Sequence, residues 1–124
     1  MRLLLDTHIL IWAAIGDAKL SITAAKLIDD EANLLYFNAA SIWELTTKGA
    51  ERTSITPAVL RRALLDAGYL ELPITAEHGL IVGTLPNHHR EPFDRIMVAQ
   101  AIAEGMSLLT HDSAMHAYPH TLIV

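Results

Sequence analysis

Leu3-Leu4-Leu5, which ends at Asp6, is too short to be a helix, yet too uniformly apolar to be a strand with one face in water; Leu34-Leu35-Tyr36-Phe37 is a second predicted strand, and Ser107 to Thr110, with its Leu108-Leu109 pair, another. A strand wetted on one face alternates in character, whereas one covered on both faces reads as a continuous apolar run. Between the runs the period becomes helical. His8 to Ile15 is predicted as a helix stopped by Gly16, and Ser21 or Thr23 caps a second that runs through Asp29 with Ala24, Leu27 and Ile28 at helical spacing. Ala39 to Lys48 is a third, ending at Gly49 where a left-handed C-cap is easiest. Pro57 opens a fourth that runs to Gly68 and carries Val59, Leu60, Ala63, Leu64 and Ala67 inward. Tyr69 to Ile74 reads as a weaker strand, and Thr75 caps a helix from Ala76 to about Thr84. Pro86 to Pro92 is a polar loop, Phe93 to Glu104 a helix stopped by Gly105, and Leu122-Ile123-Val124 a short last strand. Strands alternating with helices imply an α/β fold, with a mostly parallel central sheet of four or five strands flanked by helices.

Length and composition bound the function. A chain of 124 residues suits a single domain, 1–124, and 52% hydrophobic residues are enough for a packed core. No apolar run approaches the roughly 18 residues of a membrane span. The start, Met1-Arg2-Leu3-Leu4-Leu5-Asp6, meets an acid too early for a secretory leader. Cysteine is absent, which removes disulfides and thiolate metal sites and suits a reducing cytoplasm. A net charge of −5 argues against a protein that coats nucleic acid by phosphate attraction. It leaves room for a nuclease, because a carboxylate cluster lowers net charge while its bound cation reverses the sign locally.

Four acids are the candidate functional residues. Asp6 and Asp112 stand just beyond the carboxyl ends of two predicted strands, where sites gather in open α/β sheets. Each is equally at home as a helix N-cap. Glu44 lies inside the Ala39 to Lys48 helix among apolar Ile42, Trp43 and Leu45, which suggests burial; the plainer alternative is an i,i+4 ion pair with Lys48. Asp94 opens its helix and shares a stripe with Val98 and Ala101, so it points along an apolar face. An acid merely favoured by the helix dipole, or neutralised by Arg95, is the competing reading. Oxygen donors with no sulfur select a hard cation such as Mg²⁺ or Mn²⁺. The seven histidines are mostly scattered; a zinc site from His88, His89 and His111 lacks the usual ligand spacing.

These residues fall in four blocks: Leu4-Leu5-Asp6-Thr7-His8 with Trp12; Ala40-Ser41-Ile42-Trp43-Glu44; His89-Arg90-Glu91-Pro92-Phe93-Asp94-Arg95 with Ala99-Gln100-Ala101; and Leu108-Leu109-Thr110-His111-Asp112. In order and spacing they resemble the PIN-domain nucleases, and within them the VapC-type toxins of bacterial toxin–antitoxin pairs. The resemblance implies a Rossmann-like sheet, a Mg²⁺- or Mn²⁺-dependent endoribonuclease acting on RNA, a small DNA-binding antitoxin as partner, and a homodimer. It maps the family's catalytic and metal-binding acids onto Asp6, Glu44, Asp94 and Asp112. Thr7 and Thr110 are candidates for orienting carboxylates; Lys48, Arg90 and Arg95 are candidates for phosphate contacts or ordinary ion pairs. Two rival classes stand beside this reading. One is a phosphate-handling magnesium domain of the receiver or phosphatase kind, although His8 stands where a phosphatase would have its second aspartate. The other is a PIN-like scaffold that binds RNA without cutting it.

Overall fold

The computed structural model describes residues 1–48, 55–88 and 91–124. Strands β1 (Arg2–Leu5), β2 (Leu34–Asn38), β3 (Leu70–Leu72), β4 (Ser107–Thr110) and β5 (Thr121–Ile123) form one sheet in the order β3-β2-β1-β4-β5, every pairing parallel. Helices α1 (Thr7–Ile15), α2 (Ile22–Asp29), α3 (Ala39–Lys48), α4 (Pro57–Asp66), α5 (Ala76–Val82) and α6 (Pro92–Glu104) connect and cover the strands.

The central strand accounts for the leucine run. Side chains alternate across a sheet, so Leu3 and Leu5 enter one core with Ile9, Leu10, Phe37, Leu60 and Leu109. Leu4 enters the opposite core with Met97, Val98, Met106 and Leu108. All three leucines are fully buried, and no polar residue would be tolerated at any of the three positions.

Most predicted boundaries fall within a residue or two of the observed ones. Gly16 and Gly105 do end α1 and α6, at φ of 67° and 65°, where a β-carbon would strain the backbone. Ser21, not Thr23, caps α2, accepting from the Ala24 amide. Gly49 lies outside the described residues. The strand expected over Tyr69 to Ile74 shrinks to three residues, and the last strand begins at Thr121, one residue before Leu122. A five-residue 3-10 turn, Ser113–Ala117, was not foreseen. Helix α4 buries Leu60 and Leu64 alone; Val59, Ala63 and Ala67 face outward. The fully buried stripe of α4 is therefore a single i,i+4 row with Leu65 partly buried beside it, narrower than its composition suggested.

A buried polar chain sets where α3 begins. The Asn38 side chain at the end of β2 accepts from the Ala40 amide and donates to Gln100 Oε1 on α6. Gln100 Nε2 in turn donates to the Pro73 carbonyl at 3.3 Å. His78 Nδ1 accepts from the Thr75 amide at 3.0 Å, which leaves Nε2 of the neutral ring to donate to Glu104 at 3.0 Å. Asn38, Gln100 and His78 are all completely buried. Replacing Gln100 by Leu orphans the Asn38 amide, and an unsatisfied buried donor costs about 1–3 kcal/mol. Urea denaturation of Gln100→Leu should show a lower midpoint by that margin with an unchanged slope.

Candidate active site

The strand order reverses at β1. The chain adds β2 and β3 on one side of it and β4 and β5 on the other, which opens a crevice beyond the carboxyl ends of β1 and β4. Asp6 directly follows β1, and Asp112 follows β4 by two residues. A cleft of about 480 Å³ lies there, lined by Asp6, Thr7, His8, Trp12, Glu44, Glu91, Asp94, His111 and Asp112. All four nominated acids thus reach one cavity, two from strand ends, one from the middle of α3 and one from the first turn of α6.

Asp6 both caps a helix and lines the cleft. Its Oδ1 accepts from the Ile9 amide at 3.0 Å, and its Oδ2 accepts from the Thr110 hydroxyl at 2.5 Å. Only 6% of the residue is exposed. Burial pushes its carboxyl above the usual aspartate value of 3.8, against the opposing pull of Thr110, the Ile9 amide and His8. The raising cause is desolvation, and not repulsion from the neighbouring acids.

The other acids are held in the same manner. Glu44, 3% exposed, accepts from the Thr7 hydroxyl at 2.8 Å and lies 3.6 Å from the Lys48 ammonium. The i,i+4 pair therefore exists, but around a buried carboxylate and not a solvated one. Lys48 also reaches Glu91 Oε2 at 3.0 Å. Asp112 caps the 3-10 turn by accepting from the Ala114 amide at 2.9 Å. The Thr110 hydroxyl accepts from the Asp112 amide while donating to Asp6, so one threonine fixes both strand-end acids. Asp94 shares the face of Val98 and Ala101, both fully buried, and its own residue is half-buried where the stripe opens into the cleft.

Arg95 goes elsewhere. It does not line the cleft; its guanidinium donates to the carbonyls of Val82 and Pro86 at 3.0 and 3.1 Å and to the Tyr118 hydroxyl at 3.2 Å. It serves as a clamp between α5 and α6. Arg90 and His89 lie outside the described residues. His88 packs against Tyr118 and is absent from the cleft, while His111 lines it, so the histidines of the zinc alternative are not gathered there. Trp43, expected to sit in a buried stretch, is 60% exposed.

Glu91, His8, Trp12 and His111 line the cleft without having been nominated. Glu91 was the legible one. It directly precedes the proline that opens α6, accepts from the Phe93 amide at 3.2 Å, and stands three residues before Asp94, which puts both acids on one side of the helix start.

Five carboxylates without sulfur suit a hard divalent cation by donor chemistry. Among the described residues no three Asp, Glu or His side chains already form a finished cage. Asp6 is turned toward Thr110, Glu44 toward Thr7 and Lys48, Glu91 toward Lys48 and the α6 amide, and Asp112 toward Ala114.

A family model described as PIN domain matches residues 3–120. The chain belongs to the PIN-domain family. Among solved structures its fold is similar to that of VapBC2 from Rickettsia felis bound to a DNA fragment from their promoter, with a TM-score of 0.70 and 17% sequence identity over 100% of this chain and 98% of that one. At that identity the likeness is one of fold. No curated protein matches the chain. The strand order also separates this PIN domain from receivers, whose flavodoxin-like order is 2-1-3-4-5.

The raised Asp6 pKa has a definite sign for stability. The native state binds the Asp6 proton more tightly than the unfolded chain does, so this stabilisation is complete below the unfolded value of 3.8 and is lost as pH rises through the folded one. Asp6→Asn keeps an oxygen for the Ile9 amide and removes the charge. In EDTA at pH 7 it should melt above wild type, and the margin should vanish as the pH is taken down to about 4. A margin independent of pH would show that the charge is not its source.

Proposed function

We propose that this protein is a Mg²⁺- or Mn²⁺-dependent endoribonuclease that hydrolyses RNA phosphodiester bonds, and that it is the toxin of a toxin–antitoxin pair. The observation that carries the reading is the convergence of Asp6, Glu44, Asp94 and Asp112 on one cleft at the strand-order reversal. A bound divalent ion there supplies charge neutralisation for the phosphoryl oxygens and a water of lowered pKa. Asp6 and Asp94 would be its principal ligands, with Glu44 and Asp112 completing the set. The Thr7 and Thr110 hydroxyls fix the rotamers of Glu44 and Asp6, so that neither carboxylate has to be ordered when an ion arrives. Glu44 or Asp112 orients the attacking water. The water oxygen bonds to phosphorus, its proton passes to that carboxylate, and the bond to the ribose oxygen breaks, that oxygen leaving with the electron pair and taking up a proton from solvent.

Antitoxin binding is supported by the fold neighbour, whose structure is that of a VapBC2 complex. It also draws on a second groove of about 370 Å³ between α1, α2 and α4, whose walls are mostly apolar, among them Ala13, Ala14, Ile28, Leu35 and Ala63, with Asp29 and Tyr69 as polar members. A mostly apolar groove of this kind accepts a helix or an extended peptide from a small DNA-binding antitoxin. A homodimer and a cytoplasmic setting complete the reading. Among the described residues no helix is long and apolar enough to cross a membrane.

Asp94→Asn should lower Mg²⁺-dependent RNA cleavage by at least a hundredfold while the circular dichroism spectrum stays native; full activity in that variant would remove Asp94 from the site. A second measurement reads the ion directly. Mn²⁺ at about a hundredfold excess over its Kd stabilises a native-only site by roughly 2.7 kcal/mol. Wild type should therefore melt higher with Mn²⁺, while the double variant Asp6→Asn, Asp94→Asn responds little. Equal shifts in both proteins would place the ion elsewhere.

A further inference from the structure

Beside the carboxylate cleft stands an aromatic group that the proposed chemistry does not use. Trp43 precedes Glu44 on α3, and Phe93 precedes Asp94 on α6; the two rings meet edge to face with centroids 5.0 Å apart. The Lys48 ammonium lies 5.1 Å from the Phe93 ring centre and bonds Glu91 at 3.0 Å. Lys48 and Phe93 thus connect the indole to Glu44 and Glu91, two acids of the cleft. Trp43 is 60% exposed, whereas Phe93 against it is half-buried.

A large indole left in water at the rim of an acidic cleft, held in place by a second ring, gains nothing for the core of the fold. It does suit a ligand that brings both a flat π-face and negative charge. Single-stranded nucleic acid is that ligand: its bases stack on aromatic side chains whatever their identity, and its phosphates seek a nearby cation. Among the described residues of α3 the indole is the one large apolar side chain that is exposed, Ala40, Ser41 and Leu45 being buried, which leaves little there for the apolar face of a peptide. Duplex RNA keeps its bases stacked inside and presents none to the indole.

We propose that Trp43, backed by Phe93, is the stacking subsite for an unpaired base next to the phosphate that enters the cleft, with Lys48 the cation beside it. The inference rests on the ribonuclease reading and adds to it a base-binding residue outside the carboxylate cleft. Lys48 neutralises Glu44 and Glu91 in the absence of substrate and becomes the partner of a phosphate when the strand lies across the ledge. Trp43 is a substrate-binding residue in this scheme and takes no part in bond making.

The test uses the cleavage-deficient Asp94→Asn protein, with Trp12→Phe added so that Trp43 is the sole tryptophan, and two probes: short single-stranded RNA of random sequence, and the same ribose–phosphate chain lacking its bases. RNA should quench the Trp43 emission, and the base-free chain should bind at least about tenfold more weakly with no quenching. Adding Trp43→Ala should weaken RNA binding by about tenfold and leave the base-free chain unaffected, while Trp43→Phe restores most of the loss. If RNA binds and Trp43→Ala changes neither probe, the stacking subsite is wrong and the ribonuclease reading stands. If neither probe binds, and wild type cuts no RNA with Mg²⁺, the ribonuclease reading itself falls. If Trp43→Ala instead turns a dimer into a monomer by sedimentation and leaves RNA binding unchanged, the indole belongs to an interface between copies, which also overturns the subsite.

Discussion

The carboxylate of Asp6 ties together the parts of the chain that make the cleft. It ends the central strand, caps the first helix through Ile9, and accepts the hydroxyl of Thr110 at the end of β4, a hundred residues away in sequence. Its own amide donates to the Leu109 carbonyl at 3.0 Å, which fixes the register of the two strands where they open. Removing this charge from water is costly, and the fold meets the cost with two donors, the Ile9 amide and the Thr110 hydroxyl. Two further acids of the cleft take their positions from that arrangement. Thr110 passes the constraint to Asp112, and Thr7, the first residue after Asp6, passes it to Glu44 on α3.

A buried carboxylate of this kind links stability and chemistry in opposite directions. The environment that lifts the Asp6 pKa disfavours the charged form, and the same charge is what a hard cation seeks. The penalty is one of desolvation at a single carboxylate. Elsewhere in the cleft Lys48 stands between Glu44 and Glu91 and neutralises both.

The strands and helices were legible because their signals are local and consistent. The Leu3-Leu4-Leu5 run reads as a covered strand, and Gly16, Gly105, Ser21 and Thr75 mark ends by backbone chemistry that needs no neighbour. The four nominated acids were legible because position relative to strand ends and helical stripes is also local. What escaped depends on the third dimension. Which flank of α4 meets the core is set by its neighbours, so Ala63 and Ala67 were misplaced while Leu60 and Leu64 were not. Arg95 reads in the sequence as a partner for charge, and its guanidinium also grips three carbonyls where α5 ends, those of Val82, Leu85 and Pro86, a role visible only once α5 lies beside α6. Asn38, Gln100 and His78 form a buried polar chain from three distant segments, and no spacing in the sequence announces it.

The two outer strands have a consequence for how this protein meets others. β3 and β5 span three residues each, so the sheet ends in very short rows of unpaired backbone groups. Such rows are poor templates for adding a foreign strand, and they blunt the edge-to-edge joining that drives parallel sheets into aggregates. Recognition must then run through side chains on helices and around the cleft, where shape and charge discriminate among partners, and not through main-chain hydrogen bonding, which accepts almost any extended peptide.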